Sequence, residues 1–250
     1  IFSQNPKAQY YTTIYVDAFA GTGHRVDSKR AEAGAELFET EPDAEAEAYK
    51  KGSARIALEV QPPFDRYVFI ERDADRAADL QRVAAEAAPK QGAVQIVTGE
   101  ANEFLPRWCA TTDWGRHRAV VFLDPYGMQV DWGTLEALAK TKAVDLWLLF
   151  PLGVAAARLL TRDALPPTTW ADALTRIFGT ADWQAAFYPK HDEATLFGVE
   201  SVQRKDVNWN EIGKFFVARL KTIFSRVASN PLPLRNSTNT PIYLLCFAAS

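Results

Sequence analysis

The chain has 250 residues, of which 48% are hydrophobic and 24% charged, with a formal net charge of −3. These values are ordinary for a globular protein and leave room for one large α/β domain. No apolar run approaches the roughly 18–20 residues that span a bilayer, and no basic stretch followed by an apolar core suggests a secretory leader, so a cytoplasmic protein without membrane contact is expected. Cys109 and Cys246 fit neither a disulfide framework nor a metal motif. His24, His117 and His191 are scattered, so no metal site is expected. Residues 151–250 hold eleven Lys and Arg against eight Asp and Glu, leaving the acidic excess in the first 150 residues. That imbalance is not by itself a nucleic-acid signature.

Short apolar runs alternate with helical patterns, the mark of a parallel sheet flanked by helices. The first run, Thr13–Phe19, ends in "DAFAGTG", residues 17–23. Gly21 and Gly23 let the main chain turn tightly against a ligand with no Cβ in the way. Val26 stands where the dinucleotide fingerprint needs its third glycine, which disfavours a nicotinamide-dependent oxidoreductase. Asp17, four residues before Gly21, instead marks the end of the strand, the edge at which open α/β sheets bind ligands. An anion there suits the ammonium or sulfonium of S-adenosylmethionine and would repel a pyrophosphate. Phe19 lies between the acid and the glycines and belongs to the same expected cofactor-binding set.

The acidic, alanine-rich stretch 24–52 reads as an insertion, either a surface loop or a lid over the ligand. A helix is expected to start at Gly52-Ser53, with Ser53 as N-cap and Ile56, Leu58 and Val60 packing. The second strand, Tyr67–Ile70, ends at Glu71 and Arg72. Glu71 is placed to bind ribose hydroxyls; the alternative is a strand-end charge facing water. The interval from Gly23 exceeds the roughly 20 residues of the usual unit, and the insertion accounts for the excess. A helix over Asp75–Ala88 follows, with Leu80, Val83, Ala84 and Ala87 on one face. After the third strand, Val94–Val97, either Glu100 or Asn102 is a candidate for the adenine amino group, or for a helix N-cap.

The fourth strand, Ala119–Leu123, ends in Asp124, Pro125 and Tyr126. The carboxylate would accept the N–H bonds of a planar amine while the ring packs on its face, and catalysis would be mostly alignment in a dry site. The bland reading is a capping Asp before a helix over Trp132–Lys142. Beyond the fifth strand, Val144–Phe150, the pattern turns helical. Its longest stripe runs over Asn208–Ser229 through Trp209, Ile212, Phe216, Leu220, Ile223 and Val227. Lys214 and Lys221 lie opposite that stripe, on a face that is either solvated or a nucleic-acid contact. The tail reads as two strands around a polar turn at Asn236–Thr240.

In order, "DAFAGTG", "GSARIAL", "IERD", "FLDPYG" and "IYLLCFA" cover Tyr15–Ala248. Together they resemble the class I S-adenosylmethionine-dependent methyltransferases and, more narrowly, the three-Cys-motif partner proteins. The resemblance implies a Rossmann-like, mostly parallel seven-stranded sheet with a C-terminal antiparallel hairpin and extra helices over 153–229, all in one domain. It also implies a partner of three-Cys-motif, radical-SAM-like type. The insertion after Gly23 is longer than the family's. Amino-methyltransferases of nucleic acid carry "DPPY" or "NPPY", whereas here Tyr126 and Gly127 take the last two places. The function expected is methyl transfer to an amino nitrogen, foremost of nucleic acid. The rival is a binding module of the same fold that serves its partner without chemistry of its own.

Overall fold

The computed structural model describes residues 10–21, 52–90, 92–195 and 198–250. Gly23, and the insertion up to Gly52, lie outside them. In chain order the elements are β1 (Thr12–Asp17), α1 (Ser53–Glu59), β2 (Arg66–Glu71), α2 (Ala74–Ala87), β3 (Val94–Thr98), α3 (Ala101–Thr111), β4 (His117–Leu123), α4 (Trp132–Lys140) and β5 (Val144–Phe150). A π-helical turn over Leu152–Ala156 then runs into α5 (Ala157–Leu159). The remainder is α6 (Thr168–Phe178), α7 (Trp183–Phe187), β6 (Lys190–Thr195), β7 (Gly198–Gln203), α8 (Trp209–Leu220), β8 (Arg226–Val227), β9 (Leu232–Arg235) and β10 (Pro241–Ala249). The chain is a mixed α/β protein whose early strands are parallel and whose last strands are antiparallel. Strands β1–β5 and β8–β10 make eight sheet strands rather than the seven expected, because the short β8 adds to the terminal hairpin.

The chain divides into two compact units, Ile1–Ala101 with Gly115–Ala119, and Asn102–Trp114 with Val120–Ser250. In the first, β2 lies between β1 and β3 and pairs parallel with both. The Thr12 N–H donates to the Arg116 carbonyl just ahead of β4 at 2.9 Å. Five consecutive residues of β2, Tyr67 to Glu71, are buried, as expected of a parallel strand covered on both faces. Tyr67, Phe69, Leu58, Leu80 and Val83 share one core, with Tyr15, Phe64 and Ile96 packed at its edge. Each fully buried Leu or Phe of this kind contributes about 1.5–3 kcal/mol.

Helix α1 corrects the sequence reading. Gly52, not Ser53, is its N-cap, without a side-chain cap bond, and the buried residues are Ala54, Ala57 and Leu58. Ile56 and Val60 are exposed. The true stripe follows the helical steps of three and four from Ala54, which large residues elsewhere on the helix had obscured. Helix α2 matches its expected span. Asp73 caps it by accepting the Asp75 and Arg76 N–H groups, each at 3.0 Å. The Arg76 N–H bond, followed by the nearby Arg76 charge, outweighs desolvation and holds the Asp73 carboxyl below its ordinary value.

In the second unit β10 pairs antiparallel with β5, and also carries β8 and β9. The tail is thus the expected hairpin. Phe150 stacks on Phe216 of α8 with centroids 4.0 Å apart, and Phe178 meets Phe187 and Phe215 edge-on. Gly213 brings α8 onto β10: a Cβ there would stand 2.6 Å from Leu244 Cδ1. The stripe expected over Asn208–Ser229 is shorter than read. Helix α8 stops at Leu220, and Val227 belongs to β8. The antiparallel pair β6–β7 interrupts the helices expected over 153–229. Cys109 and Cys246 are free and buried, and burial pushes both thiols up to about 12. No helix of the described residues is long and apolar enough to cross a membrane.

Two outcomes follow from these contacts. Gly179 ends α6 at φ +67°, and a Cβ would stand 2.1 Å from the Trp132 ring. Gly179→Ala combines left-handed strain with a clash and is expected to destabilise by about 2–4 kcal/mol in urea denaturation. Asp73→Ala is expected to lower stability at neutral pH. Because the folded-state value of Asp73 is depressed, the difference from the parent fades as pH falls from about 4 down through that depressed value, below which both states hold the proton.

Candidate functional site

The strand ends of the first unit hold two buried acids. Asp17, the last residue of β1, is fully buried. Its Oδ1 accepts the Phe19 N–H at 3.2 Å, which tightens the turn out of the strand. Its Oδ2 accepts the Ser53 hydroxyl at 2.5 Å. Ser53 therefore works as the donor that ties the start of α1 to the end of β1, not as a cap. The Asp17 charge, after burial as the larger cause, helps raise Tyr15 well above the ordinary phenol value, two positions back on the same strand face.

Glu71, the last residue of β2, is 6% exposed and organises the loop opposite. Its Oε2 accepts the Gly21 N–H at 3.0 Å, and its Oε1 accepts the Asp73 N–H at 2.9 Å and pairs with Arg76 at 3.0 Å. A carboxylate offers about four acceptor positions, so one at Oε2 remains. Ala20 N–H reaches the Ile70 carbonyl at 3.1 Å, and Gly99 N–H reaches the Glu71 carbonyl at 3.0 Å. The chains leaving β1 and β3 are thereby strapped to either side of the end of β2. Gly21 has φ +61°, which a side chain would strain, and neither Gly21 nor Gly99 has a described atom within 4 Å of an added Cβ.

Two other residues expected at the cofactor sit close by. Phe19 is half-buried, and Arg72 is exposed and pairs with exposed Glu100 at 3.4 Å. Asn102 is placed differently and belongs to the second unit. Its amide donates to the Gln129 carbonyl at 2.6 Å and accepts from the Asp131 N–H at 3.0 Å and the Thr134 hydroxyl at 2.9 Å. That leaves one N–H unused. Asn102 thus fastens the first turn of α3 to the loop that opens α4.

That loop carries the other expected group. Asp124 is exposed, Pro125 buried, and Tyr126 is 90% exposed with its N–H bonded to Gln129 Oε1 at 2.9 Å. Gly127 turns the chain at φ +82°. Tyr243 of β10 faces the same loop. Burial first, then the charges of Asp124 and Tyr126, raise it above the ordinary phenol value. Sequence pattern marks Tyr243 only as part of the closing "IYLLCFA" strand; it approaches the Asp124 loop because β10 returns to the sheet from the far end of the chain.

Several solved structures are similar to this chain at low sequence identity. One is the Trm1 protein of Pyrococcus horikoshii in complex with S-adenosyl-L-methionine, at 14% identity and TM-score 0.47, covering 95% of this chain and 50% of that one. A second is an S-adenosylmethionine-dependent methyltransferase from Clostridium acetobutylicum, at 7% identity and TM-score 0.36, covering 97% and 86%. A third is a spermidine synthase in complex with the transition-state analogue AdoDATO, at 9% identity and TM-score 0.41, covering 96% and 53%. No family model matches the chain, and no curated protein does.

Glu71→Gln keeps the shape of the side chain but sets an amide donor against the N–H groups it now accepts from. It is expected to cost about 1–3 kcal/mol in urea denaturation. Glu100→Gln, which breaks only an exposed pair, is expected to stay within about 0.5 kcal/mol of the parent.

Proposed function

We propose that this chain is an S-adenosylmethionine-dependent methyltransferase acting on an amino nitrogen, foremost of nucleic acid. The observation that carries the reading is the Gly21 turn held by Glu71 beside the buried Asp17. Among the described residues an added Cβ at Gly21 or Gly99 would meet nothing within 4 Å, so neither backbone is crowded where a nucleoside would approach the end of β2. When bound, the cofactor supplies an electrophilic methyl group on a sulfonium. The remaining acceptor position of Glu71 would take a ribose hydroxyl, and the Asp17 carboxylate would set a negative potential for the cationic methionine end. Its links to Phe19 and Ser53 keep that charge in place without rearrangement.

For the acceptor, Asp124 would take the N–H bonds of an amine. This orients the nitrogen lone pair and receives the proton that methylation releases. Exposed Tyr126 offers a ring face for a planar acceptor. Tyr243 stays a neutral phenol at working pH, since its shift is upward, and so presents a hydroxyl beside Asp124 rather than a second anion.

Calorimetry with S-adenosylmethionine and S-adenosylhomocysteine tests the reading. Binding is expected for the parent and at least tenfold weaker in Asp17→Ala and in Glu71→Ala; unaltered affinity in both variants ends the assignment. Transfer of labelled methyl to RNA or DNA is expected for the parent and lost in Asp124→Ala with cofactor binding retained. Cofactor binding with no transfer to any nucleic acid would leave a binding module in place of an enzyme on that substrate.

A further inference from the structure

The second unit contains a cavity of about 830 Å³ on the side of β10 lined by Leu244. Tyr243, one residue earlier, faces the Asp124 loop instead, as alternation along a strand requires. Trp209 and Lys214 of α8, Lys221 at its C-cap and Arg235 of β9 line it, with Pro231, Pro233 and Pro241, and among the described residues no Asp or Glu does. Seven residues separate Lys214 from the Lys221 cap, two helical turns or about 10.5 Å along the α8 axis. Lys221 donates to Ser229 Oγ at 3.1 Å, and Arg235 to the Asn239 carbonyl at 2.8 Å. Both cations are therefore steadied by neutral groups, and among the described residues neither has an ion pair. Lys214 is exposed and has no ion pair among the described residues.

Trp209 is 37% exposed, and Gly153 makes its position: a Cβ there would stand 2.4 Å from the indole. The ring is seated on bare backbone at one edge of the cavity. A second cleft of about 570 Å³ shares Lys221 and Ser229 with the first and adds Arg226, Phe224 and Phe247. Arg226 is partly engaged, since its charge acts on Asp145. The two clefts thus adjoin at Lys221 and Ser229 and together gather basic side chains with apolar ring and proline faces.

We propose that these joined clefts bind a single strand of nucleic acid, with phosphates at Lys214, Lys221 and Arg235 and a base against Trp209. A string of anions with planar rings between them matches this lining. An acidic peptide would use the charges but not the aromatic and proline faces. The inference goes beyond the methyl-transfer reading and does not need it, because the site is built entirely from β8–β10, α8 and the turn after β5.

Fluorescence anisotropy with a labelled single-stranded oligonucleotide of about twelve nucleotides, without cofactor and over a series of salt concentrations, tests it. The parent is expected to bind, with a mononucleotide binding far more weakly. Lys214→Gln/Lys221→Gln is expected to bind at least about tenfold more weakly at low salt. Its slope of log affinity against log salt should fall by about 1.4, the share of two phosphate contacts on a single strand. Lys140→Gln/Lys142→Gln, which removes the same charge from residues that line neither cleft, should bind as the parent does. Absent binding by the parent, an unchanged slope in the first variant, equal loss in the second, or mononucleotide binding as tight as the strand's would each overturn the proposal. Calorimetry with S-adenosylmethionine is read separately, so failure here and failure of the methyl-transfer reading are told apart.

Discussion

The Glu71 carboxylate is the interaction on which the candidate site depends. It is buried, it is charged, and it accepts from two backbone N–H groups and one guanidinium. A buried carboxylate is costly unless such donors surround it. The arrangement therefore fixes the position of Gly21 relative to β2 and not merely the rotamer of Glu71. Asp17 and Ser53 repeat the device on the other side of β1, joining the strand end to α1.

The second unit is organised by packing rather than by charge. The stacked pair Phe150–Phe216 and the edge-on rings around Phe178 lock α6, α7 and α8 onto β5. Bare backbone at Gly153, Gly179 and Gly213 is what lets Trp209, Trp132 and Leu244 approach so closely. Asn102 supplies the polar counterpart, satisfying three groups around the α4 entry loop at once. A residue that does this fixes the loop bearing Asp124 and Tyr126 from a helix that the chain formed much earlier.

Much of this architecture was legible in the residues. Apolar runs placed β1 to β5 within a residue or two, although only β2 is buried without a break and β4 and β5 alternate. Asn236–Thr240 located the terminal turn through its polar, turn-forming side chains. Helix α1 was misread in its face because Ile56 and Val60 are large and apolar yet exposed, while small Ala54 and Ala57 are the ones buried. Hydrophobicity ranks side chains by what they gain from burial, and not by which of them the neighbouring strand has space for. The end of α8 was overrun for a similar reason. Ile223 and Val227 continue the helical period, but the antiparallel pull of β10 takes Val227 into a strand.

The sequence by itself determined the order of strands and helices as far as β5, the acids and glycines at the strand ends, and the closing hairpin, since each of these follows from local pattern and backbone preference. Only the tertiary structure decided that Glu71 grips the Gly21 backbone, that Asn102 is spent on the Asp131 loop, that Tyr243 stands by Asp124, and that Lys214, Lys221 and Arg235 share one cavity. Those facts are distances between residues far apart in the chain. No periodicity encodes them, because they arise from how the packed elements return to one another.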